Sequence, residues 1–125
     1  MENNFEKELS YIKNELIREQ CKKMVSCVAP EFFNAPASST GKYHPSYALG
    51  EGGLYRHTCA AVGIAKDLLN LECFGNKFDE NTQDYIIAAI ILHDSCKSGM
   101  CWDSKYTRHD HPIQAAKLIK LNLED

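Results

Sequence analysis

The chain has 125 residues, 44% hydrophobic and 25% charged, which is ordinary globular composition, enough for one domain with a modest core and too few for two. A formal net charge of −3 argues against a broad nucleic-acid-binding face, which is usually basic, but leaves room for a small local patch. No apolar stretch approaches the ~20 residues of a membrane span, and the acidic start MENNFEKEL lacks the apolar core of a signal peptide.

These features point to a cytoplasmic protein with no membrane partner. The six cysteines, Cys21, Cys27, Cys59, Cys73, Cys96 and Cys101, are then expected as reduced thiols, because disulfides are rare in that compartment.

In chain order, Phe5, Leu9, Ile12 and Leu16 recur at helical spacing with charges between them. They predict an N-terminal helical segment over 1–29, its helix covering roughly 3–28 and stopped by Pro30. The stretch PEFFNAPASSTGKYHPSYALGEGG, rich in Pro, Gly and Ser, reads as a long loop of the kind that often carries function. From Leu54 the helical period resumes, with Leu54, His57, Ala61, Ile64 and Leu68 on one stripe, so His57 is expected on the core side. After the break FGNKFDEN, Asn81 is a candidate cap, with Asp84 three residues later as the capping-box acid. The helix from Asp84 to about Asp94 is apolar almost all round and is expected to be the central buried one. A second loop, CKSGMCWDSKYTRHD, follows. Pro112 suits the first turn of a last helix to about Leu121, with His111 as its N-cap. Nothing alternates long enough to be a strand, and no internal repeat is visible. The expectation is an all-α bundle of four to five helices.

His57, His93, Asp94 and His111 fall at the ends or on the apolar faces of three successive predicted helices. One buried histidine is ordinarily a hydrogen-bonded core residue, but four such groups together suggest a site. Imidazole and carboxylate are good ligands for divalent metals. Neighbours on a helix point about 100° apart, so His93 and Asp94 reach one cation only at a helix end, and the loop from Ser95 provides one. Lys97 follows Asp94 by three residues, and Arg56 and Arg108 flank His57 and His109. These cations are candidate phosphate contacts. A competing site, C-x4-C-x7-H-x-H, uses Cys96, Cys101, His109 and His111, a spacing unlike the usual zinc fingers.

The segments GGLYRHT, ILHDSCK and HPIQAAKLI, in that order, resemble the HD superfamily of metal-dependent phosphohydrolases. The family pattern is a histidine in a GGL..HT-like helix, a His-Asp doublet often followed by a lysine, and a final aspartate. Members with two metals add histidines in an HP..GA..L context. The segment before GGL resembles the lead-in of HD domains in phage proteins and in a bacterial 3′-to-5′ exoribonuclease. The resemblance covers residues 31–120.

It implies a compact HD-like helical bundle and a metal set of His57, His93, Asp94 and His111, with His109 ranked second to His111. The expected cofactor is a divalent transition metal (Mn, Fe, Zn, Ni or Co), which would polarise a phosphoryl oxygen and acidify a bound water. Asp94 would orient the attacking water, with Lys97, Arg56 and Arg108 against the phosphate. His44, in the loop before GGL, would contact the phosphate or protonate the leaving oxygen. The implied substrate is a phosphoester of a nucleotide, or a nucleic-acid 3′ end, with Tyr43, Tyr47, Tyr55 and Trp102 as candidate stacking partners for a base.

Two departures stand out. Cys96 replaces the glycine usual after the doublet. The family's final aspartate has no counterpart: Asp103 and Asp110 come too early, and Asp125 is the last residue. Either the domain is truncated at its C-terminus, or a water or another acid takes that place. The alternative function is a catalytically degenerate domain that binds a metal, a nucleotide or a partner without hydrolysis.

Overall fold

The computed structural model describes residues 4–37, 46–96, 113, 115 and 116. Among these the protein is all-α. It has helices α1 (Glu6–Leu9), α2 (Glu15–Ser26), α3 (Pro30–Asn34), α4 (Gly53–Leu69), α5 (Glu72–Gly75) and α6 (Glu80–Leu92), a 3-10 turn at Ser46–Ala48, and no strand. Ile113, Ala115 and Ala116 are helical, with Ala115 buried. No described helix is long and apolar enough to cross a membrane.

The N-terminal helix expected over 3–28 is two helices. The chain turns between Ser10 and Asn14 because three interactions hold it there. The Asp84 carboxylate, buried on α6, accepts the backbone N–H groups of Lys13 and Asn14 at 3.0 and 2.9 Å. Arg18 Nη1 donates to the Ile12 carbonyl at 2.8 Å, and the Asn14 side chain caps α2 by accepting from Ile17 N. The turn shifts the helical phase. Phe5, Leu9 and Ile12 are buried as expected, but the next inward position is Ile17, while Leu16 is 77% exposed. From there Cys21, Met24 and Val25 continue the inner face of α2.

Pro30 does not end α2, which stops at Ser26; it opens α3, where its fixed φ and missing N–H suit the first turn. Phe32 and Phe33 of α3 close an aromatic cluster with Phe5 and Tyr55, with ring centroids 4.8–6.1 Å apart. Phe5 adopts φ 66°, a conformation that costs a bulky residue about 1–3 kcal/mol. Burial of its ring and a 3.0 Å bond from its N–H to Tyr55 Oη offset that cost. Tyr55 is thereby a core anchor.

Helix α6 starts four residues before the expected Asp84. Asp79, not Asn81, is its N-cap and accepts from Thr82 N at 2.7 Å. The Thr82 hydroxyl and, after it, that backbone contact hold the Asp79 carboxyl below its ordinary range. The helix packs on α4 and α2 and buries Ile87, Ile91 and Leu92. Tyr85 and Ala89 face outward, so it is the central helix with one open side rather than apolar contact all round.

Two outcomes test this packing. Asp84→Ala leaves two amide donors without their charged acceptor, and urea unfolding should register a loss of about 3 kcal/mol or more. Burial pushes the Cys21, Cys59 and Tyr55 groups up to about 12. Their protons are held more tightly folded than unfolded, so stability is full below the ordinary thiol value of 9.0 and falls as pH rises toward 12. At neutral pH a thiol reagent should modify the exposed Cys27 and Cys73 first, with Cys21, Cys59 and Cys96 reacting only after unfolding.

Candidate metal centre

The glycines of GGLYRHT set the start of α4. Gly52 is the N-cap at φ 77°, a left-handed conformation that glycine takes without strain. At Gly53 a Cβ would lie 2.0 Å from the Ala48 carbonyl oxygen, so only glycine lets the helix cross the preceding turn. Gly52 N and Leu54 N donate to the Asn34 and Ala35 carbonyls at 3.2 and 2.8 Å. Helix α4 thus begins clamped to the end of α3, one turn before His57.

The buried face of α4 is Gly53, Leu54, Thr58 and Val62. It is rotated from the expected stripe. Of the five stripe residues Leu54 is buried, while Ile64 is 60% and Leu68 44% exposed. His57 therefore lies at the edge of the core, half-buried, and meets the end of α6 from the side.

That end carries the doublet. Helix α6 stops at Leu92, His93 is its C-cap, and Ser95 N turns back to the Leu92 carbonyl at 3.1 Å. The turn lets two consecutive side chains converge. Ligand atoms of His57, His93 and Asp94 all lie within 4.8 Å of one another, the one such group of three among the described residues. His93 Nδ1 lies 2.6 Å from the Ile90 carbonyl oxygen. A carbonyl only accepts, so Nδ1 carries the hydrogen, and Nε2 is the atom directed at Asp94 Oδ2, 3.1 Å away. Nε2 can meet that carboxylate through a proton or through a shared cation. Asp94 is 8% exposed and His93 44%, so the carboxylate is sheltered while the imidazole edge meets solvent.

Two imidazoles, one carboxylate and a backbone carbonyl that orients one of the rings are a suitable donor set for a divalent transition metal. His57, His93 and Asp94 would hold it.

Other expected site residues are placed differently or not described. Arg56 Nε and Nη2 donate to the Tyr47 and Leu49 carbonyls at 2.6 and 3.1 Å. It thus ties down the turn before α4, a use of a helix arginine that spacing alone does not reveal. Tyr47 is half-exposed. His44, Lys97, Arg108, His109 and His111 lie outside the described residues, as do Tyr43, Trp102, Asp103, Asp110 and Asp125. Of the competing cysteine–histidine set only Cys96 is described. It is buried beside Ser95, with Sγ 3.9 Å from the hydroxyl. The buried polar group that sequence reading missed is Glu8 of α1, which meets Tyr55 and Cys59 beneath α4. Its place in a charged helix start gave no sign of it.

Cobalt(II) titration followed by visible absorption is expected to saturate in wild type and to weaken by about tenfold or more in His57→Ala and His93→Ala. Because both rings bind metal through unprotonated nitrogens, affinity should fall on acidification.

Compared with protein-family models, with curated proteins and with solved structures, the chain matches none of them, so the reading of this centre rests on its own geometry.

Proposed function

We propose that this protein is a metal-dependent phosphohydrolase of the HD kind, cleaving a phosphoester of a nucleotide or a nucleic-acid end. The observation that supports this reading is the convergence of His57, His93 and Asp94 where α4 meets the end of α6. A divalent cation held there supplies Lewis acidity toward a phosphoryl oxygen and makes water a better nucleophile.

The chain's own groups have distinct tasks in this reaction. His57 and the Nε2 atom of His93 offer neutral lone pairs from separate helices. Asp94 balances cation charge and accepts a hydrogen bond from the attacking water, directing its oxygen at phosphorus. The new P–O bond forms to the water oxygen as the ester P–O bond breaks; the water gives up one proton to solvent, and the departing alkoxide takes one from His44, giving an alcohol and phosphate. Lys97 and Arg108 in this reading neutralise the phosphate, and His44 protonates the leaving oxygen. The same His/Asp set also serves a binding module that holds metal or nucleotide without turnover.

Metal content by mass spectrometry, followed by hydrolysis of nucleoside monophosphates and a 3′-phosphorylated oligonucleotide with added Mn²⁺, separates these readings. The expected result is about one or two metal ions per chain, lost in an Asp94→Ala protein that keeps its circular dichroism. Turnover should fall about 100-fold or more in that variant. Metal bound with no hydrolysis above buffer means the binding module; no metal in any form overturns both.

A further inference from the structure

From Leu68 to Phe78 the chain leaves α4, forms α5 and enters the loop before α6 with four large apolar side chains part-exposed while Leu69 packs on the core. Leu68, Leu71, Phe74 and Phe78 are 44, 50, 42 and 39% exposed, and Ile64, one turn back on α4, is 60% exposed. No residue of α5 is buried. Covering the exposed part of these side chains would be favourable, so several part-exposed large apolar side chains in one short stretch are unusual for a free surface.

Backbone contacts fix this segment. A Cβ on Gly75 would sit 2.4 Å from the Leu69 carbonyl oxygen, so α5 lies hard against the end of α4. Gly75 N donates to the Leu71 carbonyl at 2.7 Å. Gln83 Nε2, on α6, donates to the carbonyls of Gly75 and Phe78, both at 3.0 Å. The segment that carries these side chains is therefore fixed in place at Gly75 and at Phe78.

Its polar residues are mostly acids. Asp67, Glu72, Asp79 and Glu80 are exposed along the same stretch, with Lys77 the single exposed cation between Asp67 and Glu80. The neighbouring Lys66 is engaged elsewhere, its ammonium 4.8 Å from the Tyr11 ring centroid. An apolar face with acidic surroundings selects an occupant that is apolar and basic.

We propose that this face docks a basic amphipathic helix of a partner protein. Aliphatic or aromatic anchors of that helix seat against Leu68, Leu71, Phe74 and Phe78, and its lysines or arginines meet Asp67, Glu72 and Glu80. A second copy of this chain would bring the same acids face to face in a symmetric pair, and an anionic bilayer or a nucleic acid carries the wrong sign.

The test uses the full chain and two synthetic helical peptides of one amphipathic pattern, leucine–lysine and leucine–glutamate, followed by fluorescence anisotropy at low and physiological salt. The leucine–lysine peptide should bind wild type, more weakly as salt rises, and the leucine–glutamate peptide should not bind. Leu71→Ser with Phe74→Ser, and separately Asp67→Lys with Glu72→Lys, should each weaken binding by roughly tenfold or more in proteins whose circular dichroism is unchanged. Equal binding of both peptides, or binding indifferent to both pairs of substitutions, overturns the proposal. So does a wild-type dimer in sedimentation that Leu71→Ser with Phe74→Ser makes monomeric, since the occupant is then a second copy. Binding that appears only in Lys117→Glu with Lys120→Glu also overturns it, by assigning the face to the chain's own C-terminal residues.

Discussion

The structure depends on the contact between α4 and α6. Leu54 and Val62 of α4 share one buried cluster with Ile87, Ile91 and Leu92 of α6, and this packing brings the start of one helix to the end of the other. Two histidines thirty-six positions apart become neighbours only because of that pairing. A close-packed core resists small displacements, so the distance between His57 and the His93–Asp94 pair is set by apolar residues that never touch a ligand.

The two buried aspartates of this region illustrate how partners divide one side-chain type between roles. Asp84, in the first half of α6, accepts two backbone amides of the turn between α1 and α2. Its charge is used in holding the N-terminal helices on the core. Asp94, just past the other end, faces an imidazole whose far nitrogen is already bonded to a carbonyl. An anion held among amides is structural. An anion beside an imidazole nitrogen is a pairing that a proton or a cation on that nitrogen can balance. The loop before α4 is organised in the same spirit, with Arg56 and the paired glycines fixing the turn from which His57 is delivered.

The α4–α5–α6 edge has a different character. There the bonds of Gln83 and the tight approach of Gly75 fix a segment whose large apolar side chains are part-exposed. Leu71 and Phe74 are only about half covered in that arrangement. The two faces of α4 therefore do different work: Leu54, Thr58 and Val62 build the core, while Ile64 and Leu68 continue onto the acid-bordered surface.

Much of this was readable in the residues. Helical periodicity located α4 and most of α6, the absence of alternation excluded strands from the reading, and the position of Ser95 after the doublet marked a helix end where His93 and Asp94 can converge. These are local properties, carried by spacing and by the chemistry of single residues. What periodicity missed shares one cause. Leu16 and Ile17 are equally apolar, and only the turn held by Asp84, seventy residues away, decides which faces inward. The stripe through His57, Ala61, Ile64 and Leu68 is as regular as the one through Leu54, Thr58 and Val62, and only the approach of α6 selects between them. Local sequence determined α4 and most of α6 and offered His57, His93 and Asp94 as candidates for one site, while α3 falls in a stretch that reads locally as a loop. Tertiary packing decided the rotation of each helix about its own axis, because that rotation depends on which neighbour arrives to bury a face.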